Sequence, residues 1–329
     1  MPASPLKAAT GAPPDGQAVL DRLRGLPGGI ELLELAARRE GAEQDREVEL
    51  VGGAVRDLLL DPTATPRELD VIVAHDALGF AGLLAEAILG GNSTEAPKPR
   101  VHERFGTATV QWGEGRVDIA QRRSEHYAHP GALPDTHPGT AEQDLARRDF
   151  AVNAIALALG GSTRGELRCV QGALEDLAAR RLRVLHDQSF IDDPTRLLRL
   201  ARYRARLGFQ VEEQTARLAA EAISSDALQT VSHARVGAEL RLALAEPDPV
   251  ATLDSLQRLG VLSALHEAIQ FDEPLARRGL AELPADPGAS PEVLLLASLL
   301  VPGHAYDTTD YESRLRALLD GWELPAAES

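Results

Sequence analysis

Hydrophobic positions recur every two residues in some stretches of this chain and every three or four in others. From Ala18 to Arg39 the spacing predicts helices broken at GLPGG. Residues 46–51 (REVELV) read as a strand, the pair Gly52-Gly53 as a turn, and AVRDLLL as a helix. PRELDVIV (66–73) predicts a second strand whose first carboxylates, Glu68 and Asp70, stand two apart and so on one face. DALGFAGLLAEAIL (76–89) returns to helical spacing, with a polar loop after it. TATVQW, GEG and RVDIA predict a hairpin over 107–120, with Arg116, Asp118 and Ala120 on one face of its second strand. A loop holding Pro and His follows (RSEHYAHPGALPDTHPGT), and DLARRDFAVNAIAL then reads as the start of a helix. From about Leu174 onward Leu, Ala and Arg at spacings of three and four predict an almost wholly helical remainder. The order is mixed α and β first and all-α second, an α+β chain without an internal repeat.

Composition changes this picture in three places. At 329 residues and 44% hydrophobic, the chain is long enough for more than one packed unit. Pro, Ala and Gly without periodicity mark residues 1–17 as a disordered leader; 18–158 is then the mixed domain, 159–225 a helical neck and 226–329 a helical body. No apolar run approaches the ~18 residues of a membrane span, and Cys169 is the sole cysteine, which excludes an internal disulfide and a cysteine zinc site and fits a reducing, cytoplasmic setting. The net charge of −16 argues at first against nucleic acid. Against that average, Arg180, Arg181, Arg183, Arg196, Arg199, Arg202, Arg204 and Arg206 crowd one segment, either as a solvated helix surface or as a phosphate-contacting stripe.

Like charges on one strand face repel unless something compensates, and a divalent cation compensates most strongly. Glu68, Asp70 and Asp118, all hard oxygen donors, suit Mg²⁺; the alternative is an exposed strand face. Gly52-Gly53 between a strand and a helix brings backbone N–H groups toward the strand end, where they form either a tight connection or a phosphate cradle. A cradle beside metal carboxylates points to phosphoryl or nucleotidyl transfer. RRDF reads without further context as a helix start with a capping Asp, and Asp193-Pro194 as a cap followed by proline at the first helical position.

LVGGAVRDLLL, ELDVIV, RFGTATV, VDIAQRR, DLARRDFAVNAIAL and DDPTRLLRLARYRARLGF, in that order, resemble the class II tRNA nucleotidyltransferases (CCA-adding enzymes) and bacterial poly(A) polymerases from about Val48 to Leu240. The resemblance implies a polymerase-β-like nucleotidyltransferase head with a mixed sheet, then an all-α neck and body. It implies a two-Mg²⁺ site on Glu68, Asp70 and Asp118, one ion acidifying the RNA 3′-hydroxyl and the other holding the triphosphate. Gly52, Gly53 and Arg56 would meet the triphosphate, and Arg147, Arg148, Asp149 and Asn153 the ribose and phosphates. A protein template would fall on Asp192, Asp193 and Arg196, with Arg199 and Arg202 on the same face. Asp193 accepts and Arg196 donates, which matches cytosine and adenine and leaves uracil and guanine with unpaired polar groups at about 1–3 kcal/mol each.

The implied activity is addition of nucleotides of the 3′-terminal CCA of tRNA from CTP or ATP with release of pyrophosphate. Poly(A) polymerase is the runner-up, and RVHERFGTATV resembles the tRNA enzymes at the place where the polymerases carry a basic stretch. A catalytically silent RNA-binding relative is a further alternative. The loop from Ser124 to Gln143 has the length of A-adding and CCA-adding members. Departures from the family pattern are Glu68 where relatives carry Asp, Ala234 where SHARVGAEL would carry a first Glu, and a short stretch after Pro274, which implies a reduced or absent tail.

Overall fold

A computed structural model describes residues 15–38, 47–88, 99–102, 106–113, 115–266 and 269–283, with 294–295, 298–299 and 322. Most of the proposed leader, the Arg104-Phe105 part of RFGTATV and most of the proposed tail lie outside the described residues. Contacts divide the chain into two compact units, one of residues 1–126 with 135–181 and one of residues 127–134 with 182–329.

The first unit opens with helices α1 (Gly16–Arg24) and α2 (Gly29–Arg38), broken at GLPGG as the spacing predicts. Asp15 caps α1 by accepting from the Gln17 amide, so the helix starts inside the segment read as leader. Strand β1 (Val48–Val51) leads through Gly52 into α3 (Gly53–Leu60), β2 (Leu69–Val73) and α4 (Ala77–Ile88) follow, and β3 (Arg100–His102), β4 (Thr107–Trp112) and β5 (Gly115–Gln121) come next. After the pair β6 (Arg123–His126) and β7 (Asp135–Pro138) and helix α5 (Ala141–Ala146), β8 (Ile155–Ala158), β9 (Leu167–Cys169) and α6 (Ala173–Ala178) complete the unit. The main sheet has the order β3-β4-β5-β2-β1-β8-β9. Among the described residues β2 and β5 pair in parallel and the other neighbours of this sheet run antiparallel.

Alternation divides the sheet into two unlike faces. Leu50, Val71, Val73, Val110, Val117, Ile119 and Leu157 share one and are at most 2% exposed, each contributing roughly 1.5–3 kcal/mol by burial. Helix α4 packs on β4 and β5, with Phe80, Ala81 and Leu84 buried. The opposite face carries Glu49, Asp70, Thr107, Thr109 and Asp118. That side is where the chemistry collects.

Several expectations need correction. The Pro- and His-containing loop holds the β6–β7 hairpin, whose mostly exposed polar strands lack the apolar alternation that would reveal them. RRDF does not start a helix. Thr140 opens α5 with a capping box to Gln143, the helix ends at Ala146, a single 3-10 turn covers Ala151–Asn153, and Ile155–Ala158 form the fully buried strand β8. A short buried apolar run cannot be assigned to helix or strand by periodicity alone. Glu68 lies in a bend before β2 rather than in it. The contact boundary at Arg181/Leu182 falls within the segment 159–225 because β9 extends the sheet beside β8.

The second unit is helical: α7 (Ser189–Asp192), α8 (Thr195–Leu207), α9 (Glu213–Ser224), α10 (His233–Leu244), α11 (Pro249–Arg258), α12 (Val261–Leu265) and α13 (Glu273–Glu282). Leu197, Leu198, Leu200 and Ala201 form the buried stripe of α8, which packs on α10 and α11 through Val236, Leu240, Leu253 and Leu256. Among the described residues no helix is long and apolar enough to cross a membrane.

Candidate active site

The parallel pairing of β2 with β5 sets Asp70 directly beside Asp118. Burial, followed by the nearby charge of Glu68, pushes the Asp70 carboxyl up to about 6, and Asp118 adds to the rise while Arg148 and Arg116 oppose it. Asp118 accepts from the Thr109 hydroxyl, its partner across β4, through Oδ1, and its Oδ2 takes the Arg116 guanidinium at 2.9 and 2.8 Å. Glu68 reaches the same guanidinium at 3.7 Å, with half of its side chain exposed. A cleft of about 340 Å³ opens here, lined by Asp70, Asp118, Thr107, Thr109, Arg123, Arg147 and Arg148 among others.

Gly52 lies beside two side chains of that cleft, Asp70 and Arg148. Its φ of 72° and ψ of −134° suit glycine, and a Cβ there would stand 3.0 Å from Arg148 Nη1 and 3.7 Å from Asp70 Oδ2. Backbone therefore reaches the carboxylate where any side chain would intrude. Gly52, which caps α3, makes no side-chain cap bond to its first amides.

The polar residues of RRDFAVN separate into two sets. Arg147 donates to Asp144 at 2.7 Å and to Glu125 at 3.0 Å, Arg148 donates to Asp144 at 3.1 Å, and Arg123 shares Glu125 at 3.0 Å. Burial would raise the Asp144 carboxyl, but the two guanidiniums outweigh it and hold it below the usual carboxylate range. Asp149 and Asn153 turn inward. Asn153 donates to Asp149 at 2.9 Å and accepts from Arg56, which is only 1% exposed and also bonds Asp57 at 2.7 Å. Arg56, Asn153 and Asp149 thus form a buried support near the Gly52 turn, while Arg147 and Arg148 line the cleft.

In the helical unit Asp193 Oδ1 accepts from the Thr195 amide at 3.2 Å, the Thr195 hydroxyl at 2.7 Å and Arg235 at 2.7 Å. Asp193 thus holds the start of α8 through Thr195, but the helix begins at Thr195 with Pro194 in the cap position, one residue later than expected, and an ion pair from α10 joins Asp193 there. Arg235 also donates to the Gly131 carbonyl at 2.9 Å, and the Gly131 amide bonds the carbonyls of Ile191 and Asp192 at 3.2 Å. Arg196 is 4% exposed. Arg202 meets Glu239 at 2.6 Å and Glu246 at 3.1 Å, and Arg199 meets Glu239 at 3.4 Å. The arginine stripe of α8 is thus largely matched by carboxylates of and just after α10.

Sequence reasoning missed Arg123, Glu125, Asp144 and the roles of Thr109, Arg116 and Arg235. Two of these had a signal. Asp144 stands three and four residues before Arg147 and Arg148, the spacing of helical ion pairs, and Arg116 shares a strand face with Asp118. Glu125 and Arg123 had none, because their hairpin was itself unread.

Paired strand carboxylates beside a glycine turn and an arginine-lined cleft define a nucleotidyltransferase head. Residues 48–183 match the family described as "Poly A polymerase head domain", and residues 208–271 match "Probable RNA and SrmB- binding site of polymerase A". The "A-adding tRNA nucleotidyltransferase" of Halalkalibacterium halodurans is 42% identical over 219 residues, 66% of this chain and 49% of that protein. The "CC-adding tRNA nucleotidyltransferase" of Deinococcus radiodurans is 38% identical over 290 residues, 87% of this chain and 72% of that one. A solved structure, "The structure of CCA-adding enzyme apo form II", superposes with a TM-score of 0.77 at 30% identity, covering 94% of this chain and 71% of the other. The chain belongs to the family of tRNA nucleotidyltransferases and poly(A) polymerases. It spans about half the length of the A-adding relative from Halalkalibacterium.

Proposed function

We propose that this protein adds nucleotides of the 3′-terminal CCA to tRNA, as a CCA-adding or A-adding enzyme, from ATP or CTP and with release of pyrophosphate. The observation that carries the reading is the register of Asp70 with Asp118 beside the open backbone of Gly52. Relatives named as tRNA nucleotidyltransferases support it. The reaction takes place in the cytoplasm, in keeping with a chain that has a single cysteine.

Among the described residues no three His, Cys, Asp or Glu side chains gather as a set that would hold a metal. Two adjacent carboxylates fit Mg²⁺ nevertheless, because that ion keeps several water or phosphate ligands of its own. Asp70 and Asp118 would hold it, with Glu68 within reach once free of Arg116. Bound Mg²⁺ supplies Lewis-acid stabilisation of the attacking hydroxyl and of the leaving phosphate. Arg147 and Arg148, held in place by Asp144, bind the triphosphate, whose phosphates approach the backbone at Gly52 and Gly53. Arg56, Asn153 and Asp149 fix that turn from behind, and so orient the nucleotide rather than grip it.

Base choice falls to Asp193 and Arg196. Three donors meet Asp193 on Oδ1, which leaves Oδ2 to accept the exocyclic amine of cytosine or adenine. Arg196 donates to the ring nitrogen. Arg199 and Arg202, paired with Glu239, support this helix and meet phosphates only at its exposed edge.

Incubating the protein with tRNA lacking CCA, ending in CC, or complete, each with ATP or CTP, tests the reading. A single A joined to the CC-ended tRNA is expected. The CC-adding relative, which matches 87% of this chain, favours a second reading in which CC is joined to the bare end. Long A tracts would mean a poly(A) polymerase, and no product in any tube would mean a silent RNA-binding relative.

A further inference from the structure

Arg116 stands where a metal ion would have to arrive. Its Nε and Nη2 lie 2.9 and 2.8 Å from Asp118 Oδ2, and its Nε lies 3.7 Å from Glu68, the residue at which this chain departs from the family's Asp. The other oxygen of Asp118 is taken by the Thr109 hydroxyl. Both oxygens of a carboxylate that would serve as metal ligand are therefore engaged, one of them by a cation. A guanidinium and a divalent cation on the same Oδ2 repel each other, since the like charges would stand within a few Å.

We propose that Arg116 is a built-in counter-ion of the metal-free site: it competes with Mg²⁺ for Asp118 and Glu68 and withdraws when the ion is taken up. This rests on the reading of Asp70 and Asp118 as metal ligands. Arg116 is 45% exposed, at the start of β5, so it can leave for solvent without breaking the core. The longer Glu68 side chain lets the bend before β2 reach this arginine, which gives its departure from Asp a role in the metal-free state. Withdrawal also frees a cation beside the cleft. An incoming triphosphate offers that cation a new partner, so the ion is taken up with the nucleotide more readily than before it.

Mn²⁺ alone, titrated into the full chain and followed by water-proton relaxation, tests this without catalysis. Arg116→Gln should bind Mn²⁺ more tightly than wild type by roughly fivefold, the scale of an exposed ion pair. ATP should tighten Mn²⁺ binding less in the variant than in wild type. Arg116→Lys, which keeps the charge but loses the two-point contact, should fall between them. An unchanged or weaker affinity in Arg116→Gln would overturn the proposal and make the arginine a staple that organises the carboxylates. Asp118→Asn separates the two levels of the argument. If it removes Mn²⁺ binding while Arg116→Gln changes nothing, the metal site stands and the counter-ion falls; if it leaves Mn²⁺ binding intact, both fall.

Discussion

The sheet cleft of the first unit and the arginine-rich helix of the second handle charge in opposite ways. On α8, Arg199 and Arg202 meet Glu239, and Arg202 also meets Glu246, at 2.6 to 3.4 Å. Those pairs satisfy each other within the fold. In the cleft, Asp70 and Asp118 stand side by side with Glu68 close by, and the conflict shows in an Asp70 carboxyl pushed up to about 6. A region that settles its own charges needs no ligand to be stable, whereas Asp70 keeps acids on two sides even with Arg116 on Asp118, a conflict that a cation would relieve. Number of charges is thus a poor guide to a site. Compensation is the better one.

Substitutions that remove one side of the contrast should have the largest effects. Asp70→Asn should lower nucleotide incorporation by about 10²–10³-fold or more, while tRNA binding measured by filter retention stays near wild type. Retained incorporation would place the catalytic centre elsewhere. On the compensated side, Glu239→Ala removes the partner shared by Arg199 and Arg202, of which Arg202 keeps Glu246, and should destabilise the protein by about 1–3 kcal/mol in denaturant unfolding. A change below about 1 kcal/mol would mean that the pairs on α8 are surface ornaments.

Asp70 makes the opposite prediction for stability. A carboxyl whose folded value exceeds its unfolded one holds its proton more tightly when folded, so stability falls as pH rises from 3.8 to about 6 and stays reduced above that. Metal-free Asp70→Asn should therefore gain about 3 kcal/mol over wild type at pH 8 and nothing at pH 4, measured by thermal unfolding in EDTA. The smallest effect is expected at Gly52. Gly52→Ala forces a positive φ on a residue with a Cβ and crowds Arg148, costing roughly 1–2 kcal/mol and raising KM for the nucleotide more than it lowers kcat.

The same contrast explains what the sequence made legible. Strands β4 and β5 announce themselves because one face is buried and the other is not, β1 and β2, buried on nearly every residue, do so by their β-branched runs, and Asp70 and Asp118 stand on β2 and β5 at readable positions. The face a residue occupies follows from alternation. Which strands become neighbours does not, so the register that joins Asp70 to Asp118 came only with the structure. The β6–β7 hairpin was silent for the opposite reason, since its exposed strands bury nothing in a periodic way. Ile155–Ala158 was misread because a fully buried strand of four residues looks like a helical fragment. Arg56 and Asn153 were assigned to the nucleotide from their motif, and only side-chain packing turned them into a buried pair. Motif position identifies a neighbourhood; depth decides what each residue in it does.

The conflict of charges left on Asp70 is most directly tested by following its carboxyl carbon by NMR in metal-free protein across pH 3 to 9. A midpoint near 6 is predicted, moving well down when Mg²⁺ is added. A midpoint near 4 that Mg²⁺ does not move would contradict the account.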